Sequence, residues 1–196
     1  VAPVIKRSGE DTALIERYLQ GDVDAFADLM RAHEDQVFAI CLRMLRERQA
    51  ALDATQDTFI TVFRKVDRFA GHSAFSTWLY RVAVNTCYDH ARRQGRRPTE
   101  PLPEGMDPAD RTSAADLEAA ELRPDLEAAL AALPADFRAA VVLCDAQGLA
   151  LQTAAEILGV PVGTVKSRVF RGRRLLAEAL GNLRAPSDPL SDERHG

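Results

Sequence analysis

Residues 151–176 read LQTAAEILGVPVGTVKSRVFRGRRLL, and this stretch decides the architecture. Ala154, Ala155, Ile157 and Leu158 recur at helical spacing and stop at Gly159, a residue suited to a helix C-terminus. A turn over Val160–Gly163 follows, and Thr164 is placed to cap a second helix whose Val165, Val169 and Leu176 face inward. Two short helices joined by such a turn make a helix-turn-helix. The second helix directs Lys166, Ser167, Phe170, Arg171 and Arg174 outward. The earliest of these lie near its start, where a recognition helix meets base edges and phosphates in the major groove. Residues 164–175 carry five cations and no acid, which favours a polyanionic partner over a merely solvated basic helix. A single aromatic at helical spacing suits core and surface alike, so Phe170 stays open between the two.

Upstream, the charge is partitioned. Residues 76–97 hold five arginines against the lone Asp89, whereas residues 98–127 hold nine acids against Arg111 and Arg123. Two basic patches therefore flank an acidic connector, and the net charge of -4 conceals them. The connector also carries Pro98, Pro101, Pro103, Gly105 and Pro108, which exclude a regular helix or sheet, so 98–113 is read as a flexible acidic linker. The tail, 185–196, has too few apolar residues to offset ordering entropy and is expected to be disordered.

The rest reads as helix. Phe26, Leu29, Met30, Val37, Ile40, Cys41, Met44 and Leu45 form one apolar stripe, and Leu52, Thr55, Phe59, Val62, Phe63 and Val66 form another that would pack against it. Gly21-Asp22 and Asp24 signal a helix start, and Arg46–Arg48 a break. A segment from Ser76 sets Leu79, Ala83, Cys87 and Ala91 on one side, with Arg81, Asn85, Asp89, Arg92 and Arg96 on the other. No segment alternates with period two, so the fold class is all-α, with two small helical domains. With 46% hydrophobic residues over 196 positions, two small cores are within reach. There is no apolar run of membrane-spanning length, no secretion signal, and therefore an expected cytoplasmic location without direct membrane insertion. Cys41, Cys87 and Cys144 lack metal-ligand spacing and read as small buried apolar residues, with no metal and no cofactor expected.

Taken together, the motifs resemble the extracytoplasmic-function (ECF) group of bacterial sigma factors, over about residues 11–184. The resemblance rests on DATQDTF (Asp53–Phe59), Phe69-Ala-Gly71, STWLYRVAVN (Ser76–Asn85), Asp89 and Arg92, then Leu133-Pro134 with Arg138, and GTVKSR (Gly163–Arg168). One departure is the TAA of residues 153–155, where the family commonly has Glu-Ile-Ala. The missing acid bears on any polymerase or activator contact at that position but leaves the helix-turn-helix intact. The resemblance implies a sigma region 2 bundle over 9–97, the linker over 98–113 and a sigma region 4 helix-turn-helix over 114–184.

The same resemblance implies roles. Asp53, Gln56, Asp57, Phe59, Thr61 and Arg64 belong to the helix that docks on a coiled coil of the largest polymerase subunit. All but Phe59 fall on its polar side, away from Phe59 and Phe63, as suits a basic helical partner. Phe69, Gly71, His72, Ser73 and Asn85 form the pocket for a flipped-out base of the -10 element, with Arg81, Arg92 and Arg93 on phosphates. Trp78 reads as core. Thr164, Lys166, Ser167, Arg168, Phe170, Arg171 and Arg174 read the -35 element. The expected partners are core RNA polymerase, promoter DNA and an anti-sigma factor. A sixteen-residue linker spans at most about 55 Å, and elements about 16 base pairs apart lie about 54 Å apart, so both domains can reach their elements together.

Two other classes compete. A stand-alone helix-turn-helix regulator would use the C-terminal motif and leave Gln56-Asp57 and the Phe69–Asn85 block without a purpose. An enzyme would need an acid-base or nucleophile constellation, and His33, His72, His90 and His195 are scattered without one.

Overall fold

The structure, a computed structural model, describes residues 8–69, 71, 73–94 and 125–184. The linker and tail expected at 98–113 and 185–196, together with Ala70 and His72, lie outside the described residues. Within them every regular element is helical and no strand occurs, in agreement with the all-α reading.

The first unit begins with α1 (Ser8–Leu19) and α2 (Val23–Leu45). The turn between them is closed by Arg17, whose Nε and Nη2 donate to Asp22 Oδ2 at 3.0 and 2.6 Å. Asp22 also caps α2, its Oδ1 accepting from Ala25 N at 3.3 Å, so one carboxylate ends a turn and starts a helix. That guanidinium holds the Asp22 carboxyl below the usual carboxylate range. α2 ends where Arg46 turns left-handed (φ 68°) and returns its N–H to Leu42 O. Glu47 then caps α3 (Arg48–Phe63) through Gln49 N and Ala50 N, which is the break expected at Arg46–Arg48. A 3-10 turn over Val66–Arg68 leads through Phe69 to α4 (Phe75–Gln94), which starts one residue before Ser76.

α2, α3 and α4 pack on one another, with α1 against α2 and α4. Leu29, Val37, Ile40, Val62, Leu79 and Val84 are buried at their centre. The second stripe packs differently from its expected pattern. The face of α3 turned inward is Ala50, Ala51, Ala54, Thr55, Thr58 and Val62, while Leu52 and Phe63 are 43% and 53% exposed. Small residues on the buried side let α3 approach its neighbours closely, which leaves its larger apolar residues outside. Thr55 and Thr58 are tolerated there because their hydroxyls donate to Ala51 O and Ala54 O at 2.8 and 2.7 Å. Cys41 and Cys87, 46 positions apart in the chain, meet between α2 and α4. Cys87 hydrogen-bonds to Cys41, which lowers the Cys41 pKa and pushes that of Cys87 up.

The second unit has a helical stretch over 125–132 (α5), then α6 (Ala135–Val141) running into a π-helical turn (Val142–Ala146), α7 (Leu151–Leu158) and α8 (Val162–Arg184). Arg138 organises its start. Its guanidinium donates to Leu130 O, Ala131 O and Leu133 O at 2.8–2.9 Å, the orphan carbonyls at the end of α5. α8 crosses α6 at Gly172, where a Cβ would lie 2.6 Å from Val141 Cγ2. The two units also pack on each other, α4 against α7, and their buried apolar side chains form one continuous cluster from Ile15 to Val169.

Candidate nucleic-acid interface

α7 ends as its sequence requires, with Gly159 left-handed at φ 65° and its N–H returned to Ala155 O. α8 begins earlier than expected. Thr164 N and Val165 N both donate to Pro161 O at 2.9 and 3.2 Å, so Pro161, not Thr164, stands at the helix start, and Thr164 lies in the first turn. The fixed φ of proline preorganises that start without a side-chain cap. Val165 and Val169 are buried, and Leu176 is half-buried. Lys166, Ser167, Phe170, Arg171 and Arg174 are exposed on one side of α8. Phe170 is 69% exposed, so its ring belongs to the surface. Ser167 Oγ donates to Thr164 O at 2.9 Å, and Arg174 sits 3.4 Å from Glu178. Arg168 stands apart from this set: its Nη2 turns inward to Asp136 Oδ2 at 2.5 Å.

α4 presents the second basic face. Arg81, Asn85, Arg92 and Arg93 are exposed along it, while Ala91, expected inside, is also exposed. Arg92 is paired with Asp89. At the head of α4, half-buried Phe69 packs edge-to-face on Phe75 with centroids 5.7 Å apart and tilted against Trp78 at 5.4 Å. Trp78 is thereby fixed as half-buried wall. Gly71 follows at φ 70°, a conformation glycine adopts without strain, with half-buried Ser73 beyond it. The aromatic wall and the left-handed glycine lie together at the head of α4, whereas Asn85 stands ten residues further along the helix, in the cleft toward α6. Arg81 Nη2 donates to Glu156 O at 2.5 Å, and Tyr88 Oη donates to Asp136 Oδ1 at 3.3 Å. A cleft of about 680 Å³ runs between Asn85, Tyr88 and Arg92 on α4 and Ala135 and Asp136 on α6.

The third surface is α3. Asp53, Gln56 and Asp57 are exposed, Phe59 and Thr61 are half-buried, and Arg64 is exposed at the helix end. Asp53 accepts from Gln49 Nε2 at 3.0 Å, and Asp57 Oδ2 lies 2.9 Å from His90 Nε2 on α4. Beside them runs a groove of about 880 Å³ that includes Phe26, Leu52, Phe59, Ile60 and Phe63; the Phe26 and Phe63 rings pack on each other and on Tyr18. Leu52, Ile60 and Phe63 were absent from the expected site. The signal for them is that α3 carries large apolar residues on more faces than one core can cover. An apolar groove with a carboxylate and amide rim fits an amphipathic helical partner. Among the described residues no three metal-ligating side chains cluster, and no helix is long and apolar enough to cross a membrane.

Known proteins share this arrangement. The family profile Sigma-70 region 2 matches residues 29–97, and Sigma-70, region 4 matches residues 123–176. The chain is 41% identical over 164 residues to the ECF RNA polymerase sigma factor SigE of Mycolicibacterium smegmatis, covering 82% of this chain and 63% of that one. It is 39% identical over 173 residues to the ECF sigma factor SigM of Mycobacterium tuberculosis, covering 88% and 86%. Among solved structures, the sigma factor RpoE from Bartonella quintana, in complex with the anti-sigma factor NepR, superposes with a TM-score of 0.66 at 31% identity, over 81% of this chain and 98% of that one. With the helix-turn-helix, the arginine-rich α4 and the Gln56-Asp57 helix in the order of both sigma regions, the chain belongs to the ECF sigma factors of bacterial RNA polymerase.

Proposed function

We propose that this protein is the promoter-recognition subunit of a bacterial RNA polymerase, with region 2 over 9–97, the linker over 98–113 and region 4 over 114–184. Lys166, Ser167, Phe170 and Arg171 read the -35 element, with Thr164, Arg168 and Arg174 supporting the phosphate contacts. Phe69, Gly71, His72, Ser73 and Asn85 capture a base of the -10 element, and Arg81, Arg92 and Arg93 hold its backbone. Asp53, Gln56, Asp57, Phe59, Thr61 and Arg64 dock on the coiled coil of the largest polymerase subunit. Phosphodiester chemistry belongs to the polymerase, and the factor works in the cytoplasm. An anti-sigma factor is its expected regulator, as NepR is the partner of RpoE in the superposing structure.

The observation that carries this reading is the α3 groove, lined by α2 and α3, in a chain that also carries the basic face of α4. A stand-alone regulator needs only the helix-turn-helix; an exposed apolar groove rimmed by Asp53 and Gln56 serves a protein partner. The test is run-off transcription with core polymerase on promoter fragments from the source genome. The wild type should yield transcripts from discrete start sites. Phe63→Asp should abolish them while still binding a duplex that carries the upstream element, because Phe63 is exposed and remote from α8. Equal transcription by this variant would remove the groove from the docking surface, and DNA binding without any transcription would favour the stand-alone regulator.

A further inference from the structure

Two polar residues are buried in the first unit without any part in the roles assigned above. Asp11, in the first turn of α1, and His33, midway along α2, are 3% and 2% exposed. His33 Nε2 lies 3.0 Å from Asp11 Oδ1. A buried pair of this kind is weak support for stability, because apolar residues of similar volume commonly hold a core as well. What the hydrogen bond does supply is direction: it fixes the plane of an imidazole that would otherwise turn about its broad χ2 torsion.

That plane matters because of what packs on it. The His33 ring stands 5.5 Å from Phe75, the first residue of α4, at an interplanar angle of 59°. Phe75, itself 3% exposed, meets Phe69 at 90° with centroids 5.7 Å apart and meets Trp78 at 5.8 Å. Rings in such contacts set each other's tilt, since the edge of one is positive and the face of the next negative. Asp11, His33, Phe75 and Phe69 therefore form a continuous line from α1 through α2 to the aromatic wall before Gly71. α1 packs against both α2 and α4, so the line is anchored at each step.

We propose that the Asp11–His33 hydrogen bond is a positioning device for base capture: it holds Phe75, and through Phe75 the Phe69 ring, at the angle on which an unstacked base of the -10 element settles. This rests on the assignment of Phe69 to that element. A stacking surface whose tilt is fixed beforehand gives up less conformational freedom when the base arrives. Asp11 and His33 are buried and act through Phe75, so they are positioning residues. Their loss belongs in strand opening, and leaves upstream-element binding and polymerase binding level.

The chain carries its own probe, since Trp78 is its single tryptophan and packs against both Phe69 and Phe75. The test compares the full chain as wild type with three variants. Asp11→Asn keeps an oxygen to accept from His33, Asp11→Leu with His33→Leu keeps the core filled, and Phe75→Leu keeps the pair but interrupts the line. In the double variant, the near-ultraviolet circular dichroism of Trp78 should fall and its quenching by acrylamide should rise, while Asp11→Asn should match the wild type. Each variant is then assembled with core polymerase on a promoter recovered by run-off transcription. Permanganate-reactive thymines in the -10 element should fall about 3-fold to 10-fold with the double variant and with Phe75→Leu, as partial loss of a stacking surface requires. Affinity for core polymerase and for a duplex carrying the upstream element alone should stay level. Unchanged Trp78 signals in the double variant would overturn the positioning, and altered signals with unchanged opening would overturn its link to base capture. An Asp11→Asn variant as defective as the double variant would overturn the hydrogen bond as what holds the ring. A wild type that opens no promoter would remove the assignment of Phe69 and the base-capture role with it, while Trp78, which needs neither DNA nor polymerase, would still judge the line from Asp11 to the wall.

Discussion

Asp11 and His33 face each other inside the first unit, 3.0 Å apart, with side chains only 4% and 2% exposed. Such a pair tolerates joint replacement far better than the loss of one member, because a carboxylate left alone in an apolar interior has no compensation for its lost hydration. His33→Leu should therefore cost about 3–5 kcal/mol in urea unfolding, and Asp11→Leu with His33→Leu should recover most of it. A single variant as stable as the wild type would show that water reaches Asp11. The pair was invisible in the sequence because the two residues belong to different helices, 22 positions apart. Phe170 was left undecided there for the complementary reason: periodicity gives spacing but not how far a neighbouring helix reaches. Since the ring is 69% exposed, Phe170→Ala should leave stability within about 0.5 kcal/mol while weakening upstream-element binding and relaxing its base preference, as loss of an apolar contact to a thymine methyl would. A fall in melting temperature without a change in binding would return the residue to the core.

α8 is positioned by its crossing with α6, and Gly172 sets that distance. A Cβ there would meet Val141 Cγ2 at 2.6 Å and Phe137 O at 3.5 Å, so Gly172→Ala must push α8 away or displace Val141. Overpacking of this kind costs about 1–3 kcal/mol, readable as thermal destabilisation with weaker upstream-element binding. Adding Val141→Ala should restore part of both. If Gly172→Ala alone is neutral, the crossing is looser than the contact implies. The helices themselves were legible: the stripe of α2, the Gly159 stop and the Glu47 region break all follow from side-chain spacing and terminus chemistry. What failed was the inward face of α3 and the first residue of α8. In α3, Ala and Thr compete with Phe and Leu for the buried side, and close helix approach decides for the small residues. In α8, Pro161 preorganises the start, so the capping residue sought at Thr164 is not needed.

How the two units meet could not be read from the sequence at all, since Arg81 finds Glu156 O across 75 positions and Arg138 finds Met44 O across 94, and carbonyl acceptors carry no side-chain signature. The same holds for Cys41 and Cys87. One consequence of the meeting is a measurable pH dependence. The Tyr88 phenol has its pKa pushed up to about 12, first by burial and then by the Asp136 carboxylate beside it. In the unfolded chain a phenol ionises near pH 10. Below that pH both states keep the proton and the stabilisation is fully present. Between about pH 10 and 12 the unfolded state gives up a proton that the folded state retains, so stability falls as pH rises through that window. Partial exposure of the ring screens the effect, and the comparison that isolates it is with Tyr88→Phe, which has no proton to lose. Urea unfolding from pH 8 to 12 should show the wild type losing stability relative to this variant above pH 10, with a phenolic absorbance component titrating late. Asp136→Ala should move that component back toward the ordinary range by removing the neighbouring charge and uncovering α4. Parallel stability curves, or full titration near pH 10 in the native protein, would mean that Tyr88 is hydrated and that the face of α4 is not covered as the packing requires.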